Sequence, residues 1–221
     1  MALHPPQWSS RNQAGLELAE RLRTGKYNKP DSMIIALPRG GVAVAVAIAK
    51  QLQLPVATWS VRKVSDPLQP ELAIGAIAAG NVVVWRNSQA AGRRQELARR
   101  QGWLQIQEQE MMRRQRLFGD PTPEKLRNRH LVVVDDGIAT GMTVKAALIS
   151  LRQAQPSSIT LAVPVADHTA AIQLLPLVDH LEALALVNNL DSVGMWYATF
   201  NQLSDREVLD LLARSRSEVS S

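Results

Sequence analysis

Residues 131–143, Leu-Val-Val-Val-Asp-Asp-Gly-Ile-Ala-Thr-Gly-Met-Thr, constrain this chain more than any other stretch. Leu131, Val132, Val133 and Val134 are four consecutive apolar residues, three of them β-branched. Such a run reads as a strand buried on both faces, as in a parallel sheet covered by helices. Asp135 and Asp136 then fall at the carboxyl end of the strand, the edge at which open α/β sheets bind ligands. The small residues Gly137, Ala139, Thr140, Gly141 and Thr143 leave backbone amides free to surround a phosphate at a helix start. The hydroxyls of Thr140 and Thr143 add donors. Adjacent carboxylates accept hydrogen bonds and suit a cis-diol such as that of ribose. The run therefore predicts a sugar-phosphate site. The plainer alternative is an ordinary strand, turn and helix whose aspartates start the turn and cap the helix.

The rest of the chain alternates in the same way. Ser10 to Arg23 carries Ala14, Leu18 and Leu22 at spacing four and reads as an amphipathic helix ended by Thr24-Gly25. Met33 to Leu37 is a short apolar strand, Pro38-Arg39-Gly40-Gly41 a turn, and Val42 to Leu52 a small-residue helix. One strand is expected from Pro55 to about Arg62, a loop over Lys63 to Pro70, and a hairpin of Leu72–Ala79 with Val82–Trp85 around Gly80-Asn81. From Gln89 to Phe118 there is no proline, and Leu97, Leu104, Met111 and Phe118 recur every seven residues, which predicts one long helix stopped by Asp120-Pro121-Thr122-Pro123. A helix over Val144–Ala154, a strand at Ile159–Val165, a helix at His168–Leu175, a strand at Leu181–Val187 and a last helix from Ser204-Asp205 complete the order, with the tail after Ala213 polar enough to fray. Strands alternating with helices imply an α/β fold with a mainly parallel sheet flanked by helices.

At this point a family is recognisable. An apolar strand, two acids, three variable residues and Thr-Gly-x-Thr resembles the 5-phosphoribosyl 1-pyrophosphate (PRPP) signature of the type I phosphoribosyltransferases, and every defining position is filled between Val132 and Thr143. Arg39-Gly40, with Gly41 behind it, resembles that family's pyrophosphate loop, where a strained cis peptide is often found; Pro38–Arg39 is the bond to inspect. Val61 to Pro67 resembles the start of its flexible lid, which carries basic side chains, here Arg62 and Lys63, over the reaction centre. The resemblance implies a single domain over residues 1–221, with a core of about 33–187, a small carboxyl-terminal hood and helix of about 188–215, and a lid loop.

It also implies a site. Asp135, Asp136, Arg39 and Lys63 are the candidate catalytic residues, and PRPP is held by them together with Gly40, Gly41, Arg62, Gly137, Ala139, Thr140, Gly141, Met142 and Thr143. Magnesium comes mainly with PRPP, with Asp135 and Asp136 reaching it through water. Trp196 and Tyr197, in an aromatic cluster of a chain only 4% aromatic, are candidates to stack on the base. Related 6-oxopurine enzymes place an aspartate just before Thr-Gly; here Ala139 stands there, so no general base is supplied. Glu71, just after the lid, is the carboxylate to watch as a proton shuttle, against a plain solvated strand end. The implied partners are PRPP and a purine or pyrimidine base, in a homodimer.

The chain has no cysteine, which excludes disulfides, thiol catalysis and cysteine-based metal sites. No apolar run reaches the roughly 18 to 20 residues that span a bilayer, and Met1 to Pro6 lacks the pattern of a secretory signal, so a cytoplasmic location is expected. Ten bases against five acids between Ala90 and His130 equal the whole net charge of +5. That arginine-rich stretch motivates a rival reading, a non-catalytic PRPP-sensing regulator or RNA-binding protein on the same fold.

Overall fold

The computed structural model describes residues 6–24, 31–66, 69–86 and 91–219, excluding the side chains of 66, 69–72, 91 and 217–219. The elements in chain order are α1 (Arg11–Thr24), β1 (Ser32–Ala36), α2 (Gly40–Leu52), β2 (Val56–Thr58), β3 (Val61–Asp66), β4 (Gln69–Ala78), β5 (Val82–Trp85), α3 (Ala91–Arg100), α4 (Trp103–Phe118), α5 (Pro123–Leu126), β6 (His130–Val134), α6 (Met142–Gln153), β7 (Ser158–Asp167), α7 (His168–Leu174), β8 (His180–Val187) and α8 (Asp205–Val219).

The parallel sheet has the order β2-β1-β6-β7-β8. Ile34 lies opposite Val132, and Val132 opposite Thr160, so β1 and β6 are central neighbours in register. Because successive side chains alternate faces, Ile34, Ala36, Val132 and Val134 pack on Leu18, Leu22, Val42, Ile48, Val208 and Leu212 of α1, α2 and α8. Ile35, Leu131, Val133 and Leu161 pack instead on Leu148 and Leu151 of α6. Each such side chain contributes about 1.5–3 kcal/mol when fully buried, which explains why these strands contain almost nothing but aliphatic residues.

A second, antiparallel sheet, β3-β4-β5, lies over α6 and corrects three expectations. The stretch expected to be one strand from Pro55 to Arg62 is two. After Thr58 the chain leaves β1, and Asp120 clips the crossing by accepting from Thr58 Oγ1 at 2.6 Å and Ser60 N at 2.6 Å. Lys63 to Pro70 is not a loop: β3 and β4 pair from Val61↔Ala78 to Asp66↔Gln69, with a bulge beside Val64, while Pro67 and Leu68 lie outside the described residues. Burial decides this, since Val64 is fully buried with Ile74, Ile77, Ala98 and Met111. The long helix is broken into α3 and α4 at Gly102, whose φ of 76° is left-handed. The break lets Ala98 and Met111 cover the same sheet face; Gln89 and Ala90 lie outside the described residues.

The Gly80-Asn81 turn forms as expected, with φ of 72° and 59°. The last helix does not fray after Ala213. It continues to Val219, because Val208, Leu212 and Ser215 form one buried stripe and Ser215 is 1% exposed. Residues 188–204 pair with the amino terminus: Trp8 N donates to Trp196 O at 3.0 Å and Ala198 N to Trp8 O at 2.8 Å. Among the described residues no helix is long and apolar enough to cross a membrane.

Candidate functional site

Parallel neighbours deliver their following loops to one edge, so residues 37–41 after β1 meet residues 135–143 after β6. Leu37 N donates to Val134 O at 2.9 Å and fixes the approach. The Pro38–Arg39 peptide bond is cis, at the place the sequence pointed to. A Cβ on Gly40 would stand 1.9 Å from Asp136 Oδ2, and one on Gly41 would stand 2.7 Å from Val134 O. No larger residue fits either position, and that closeness explains the Gly-Gly pair.

The two aspartates do different things. Asp136 Oδ2 accepts from Arg11 Nε at 2.8 Å, a pair in which the side chains are 9% and 15% exposed. Arg11 is itself held by Asn201 O at 3.0 Å and by the Phe200 ring, 3.7 Å below its guanidinium carbon. Tyr197 Oη donates to Asp136 O at 2.6 Å. Asp135 Oδ1 accepts from Asp136 N at 2.9 Å, and its carboxyl lies beside that of Asp136. Burial pushes both carboxyls above the usual aspartate range; the neighbouring Asp136 charge pushes Asp135 further up, whereas Arg11 pulls Asp136 back.

Asp135 and Thr143 form one side of a cavity of about 320 Å³, with Pro38, Arg62, Lys63, Ser65, Gln107 and Arg114 around it. Thr140, Gly141 and Met142 open on a second cavity of about 450 Å³, where Lys63 appears again beside Arg86 and Lys145. Lys63 thus stands between the two. Gly141 caps α6 with φ of 70°, so the helix begins at Met142 with its amino terminus toward the loop. Gly137 lies under Val193, whose Cγ1 is 2.5 Å from where a Cβ would be, and Ala139 is half-buried.

The structure brings together Arg62, Lys63, Asp135 and Thr143, and places other expected residues elsewhere. Arg39 Nη1 points to Asp205 Oδ1 at 3.5 Å and does not line the cavity. The expectation that Tyr197 stacks on a base is corrected. Its ring is 4% exposed, 5.5 Å from Trp8 and stacked on Phe200 at 5.1 Å, and burial pushes its hydroxyl pKa up. Trp196 is half-buried against Trp8 at 6.0 Å, so the aromatic cluster joins the chain's ends. The Glu71 side chain lies outside the described residues.

Sequence reasoning missed Arg11, Gln107, Arg114 and Asp205. Gln107 Oε1 accepts from Arg62 Nε and Nη2 at 3.1 and 2.8 Å. Arg114 Nε donates to Glu110 Oε1 at 3.0 Å, and Asp205 also pairs with Arg113. The Arg113 hydrogen bond holds the Glu110 carboxyl down at about 2. The only signal in the sequence was the arginine density of this stretch, which says nothing about direction.

A family model for the phosphoribosyl transferase domain matches residues 8–174. Two Mycobacterium tuberculosis proteins, from strains CDC 1551 / Oshkosh and H37Rv and provisionally named phosphoribosyl transferases, are 36% identical over 214 residues, or 96% of this chain and 47% of each relative. The chain therefore spans about half the length of the curated relatives it matches. A crystal structure from Thermus thermophilus is similar with a TM-score of 0.71 and 31% identity, covering 94% of this chain and 98% of that one. An Aquifex aeolicus structure shares the fold alone, with a TM-score of 0.52, 10% identity and 86% of each chain covered.

Proposed function

The chain belongs to the phosphoribosyl transferase family, and on that premise we propose that it transfers 5-phosphoribose from magnesium-bound PRPP to a nitrogenous base and releases pyrophosphate. The observation that carries this reading is the shared sheet edge: the Asp135 carboxylate stands between the start of α6 and a cavity containing Arg62, Lys63 and Arg114. Those are the three recognition chemistries that the three parts of PRPP require.

The amides of Ala139 to Thr143 and the hydroxyls of Thr140 and Thr143 take the 5′-phosphate at the positive end of α6. Asp135 accepts from the ribose hydroxyls. Asp136, already bonded to Arg11 and approached by Gly40, holds Asp135 and the glycine loop in place. The bond from ribose C1 to the pyrophosphate oxygen breaks with its electrons leaving on pyrophosphate. The base nitrogen lone pair forms the new C1–N bond, and its displaced proton leaves to solvent. Positive side chains stabilise the charge that develops on the leaving group, and β3 and β4, whose Arg62, Lys63, Ser65 and Ala73 line the two cavities, limit the access of water to the cation-like sugar.

Among the described residues no group of three or more His, Cys, Asp or Glu forms a metal cage. The Asp135 carboxylate on the cavity wall fits magnesium, which usually binds one or two carboxylates together with substrate phosphates. When bound, the ion neutralises pyrophosphate charge. The resemblance also implies a homodimer, which light scattering tests directly. Against the RNA-binding rival, Arg114 is buried on the cavity wall and Arg113 is paired with Glu110 and Asp205, so neither adds to an open basic face.

The test is pyrophosphate release from magnesium PRPP with adenine, hypoxanthine, guanine, xanthine, uracil or orotate, against an acceptor-free control. Release that depends on one base establishes the activity and names the acceptor. PRPP binding by calorimetry without release from any base refutes transfer to these acceptors, and absence of binding refutes the site.

A further inference from the structure

We propose that Arg114 and Arg62, rather than the Arg39 side chain, receive the departing pyrophosphate, which makes helix α4 a substrate-binding wall of the site. The inference rests on the transferase reading above and identifies which cations carry it.

Three observations support it. First, Arg62 and Arg114 line the cavity that holds Asp135 and Thr143, while Arg39 is turned to Asp205. Second, each guanidinium is held by its edge and has donors left. Arg62 spends Nε and Nη2 on Gln107; Arg114 spends Nε on Glu110 and sets Nη2 3.7 Å from Asp205. Among the described residues neither Nη1 makes a hydrogen bond. Two oriented forks with spare N–H groups suit bidentate recognition of phosphate oxygens.

Third, among the described residues cations outnumber carboxylates in the cluster. Arg39, Arg62, Arg113 and Arg114 stand around two carboxylates, Glu110 and Asp205. Burial, then the charges of Arg114 and Arg39, lower the Arg62 pKa, the direction expected where cations outnumber their partners. Arg114 is also only 8% exposed, so its charge is shielded from solvent and acts mainly into the cavity. A polyanion is the partner that balances this arrangement, and pyrophosphate occupies that end of PRPP.

The experiment is calorimetry on the purified full chain with magnesium pyrophosphate and, separately, ribose 5-phosphate. The variants are Arg114→Gln, Arg114→Lys and Arg39→Gln, each checked by thermal melting. Losing one charge-assisted contact is expected to weaken pyrophosphate binding about 10- to 100-fold in R114Q, with ribose 5-phosphate affinity kept within about two-fold. R114K, which keeps the charge and the fold but loses the fork, is expected to fall between R114Q and wild type, and R39Q to change less than R114Q. Unchanged pyrophosphate binding in R114Q and R114K overturns the inference, as does equal loss of both ligands, which marks Arg114 as a structural brace. If wild type binds ribose 5-phosphate but not pyrophosphate, the inference alone fails; if it binds neither, the transferase reading fails as well.

Discussion

Removing Arg11 while leaving Asp136 is the most informative single perturbation, because it strands a carboxylate that the fold has partly withdrawn from water. The Nε to Oδ2 distance is 2.8 Å, with side chains 9% and 15% exposed. Breaking one half of a buried pair costs about 3–5 kcal/mol, and the pair's residual exposure places Arg11→Met near the lower end, at ~3 kcal/mol. The guanidinium also lies 3.7 Å from the Phe200 ring, an interaction of about 1 kcal/mol that methionine keeps only as packing. A domain of this size shifts by roughly 2–4 °C per kcal/mol, so a loss of ~3–4 kcal/mol should lower the melting point by about 6–16 °C. Adding Asp136→Asn removes the stranded charge and should recover at least half of the loss.

The pH dependence has a definite sign. Burial raises Asp136 above an ordinary aspartate and Arg11 opposes it, so R11M must raise it further. A carboxyl with a raised folded value loses stability as pH rises from the unfolded value, about 3.9, through the folded one. The R11M deficit is therefore smallest in acid, grows once pH passes the wild-type Asp136 value, and is complete above the variant's. Urea unfolding of wild type, R11M, D136N and the double variant at several pH values measures all of this. An R11M cost below about 1 kcal/mol, or a double variant no more stable than R11M, would refute the idea that Arg11 compensates a buried charge.

Other substitutions separate binding from folding. Asp135→Asn should abolish PRPP binding in calorimetry yet raise stability at pH 8 by ~1 kcal/mol or more; because Asp135 is raised by burial and by Asp136, the gain should vanish below about pH 4 and grow through the raised value. Tyr197→Phe strands the Asp136 carbonyl now bonded at 2.6 Å and should cost about 1–2 kcal/mol by denaturant titration without changing which base is used, whereas a changed base preference would return Tyr197 to the base site. Gly40→Ala sets a Cβ 1.9 Å from Asp136 Oδ2; PRPP affinity should fall more than about tenfold, the equivalent of ~1.4 kcal/mol, with an unchanged far-ultraviolet spectrum, and normal affinity would show that the loop can move aside.

The parts legible in the sequence share one property, that their physics is local. β6, the aspartates, the loop to Thr143 and the glycines after β1 were readable because each depends on adjacent residues. The Gly80-Asn81 turn was readable for the same reason. Gly102 was equally visible, but the seven-residue repeat from Leu97 to Phe118 ran across it. Of that repeat only Leu104 and Met111 pack on the antiparallel sheet; Ala98 takes the place of the exposed Leu97, and Phe118 packs in the other core with α1, α2 and α8. The aromatic run at 196–200 was misread in part because composition identifies a cluster without naming its neighbours, and Trp8 is the missing neighbour.

What was not legible is charge balance. Consecutive amides that grip a phosphate must be contiguous in the chain, so a motif can encode them. The counter-ion of a half-buried carboxylate needs only to be near in space: Arg11 reaches Asp136 across 125 residues, Arg39 reaches Asp205 across 166, and Asp120 clips Thr58 across 62. Arg114 shows the consequence most clearly. In the sequence it is one of ten bases in a basic stretch, consistent with a solvated helix face. In the fold, the left-handed break at Gly102 and the burial of Met111 turn its side of α4 inward. A residue counted as surface charge then becomes part of the cavity wall facing Asp135. Substrate contacts made by backbone can be read from a motif, whereas those made by long cationic side chains depend on which face of a helix the core selects.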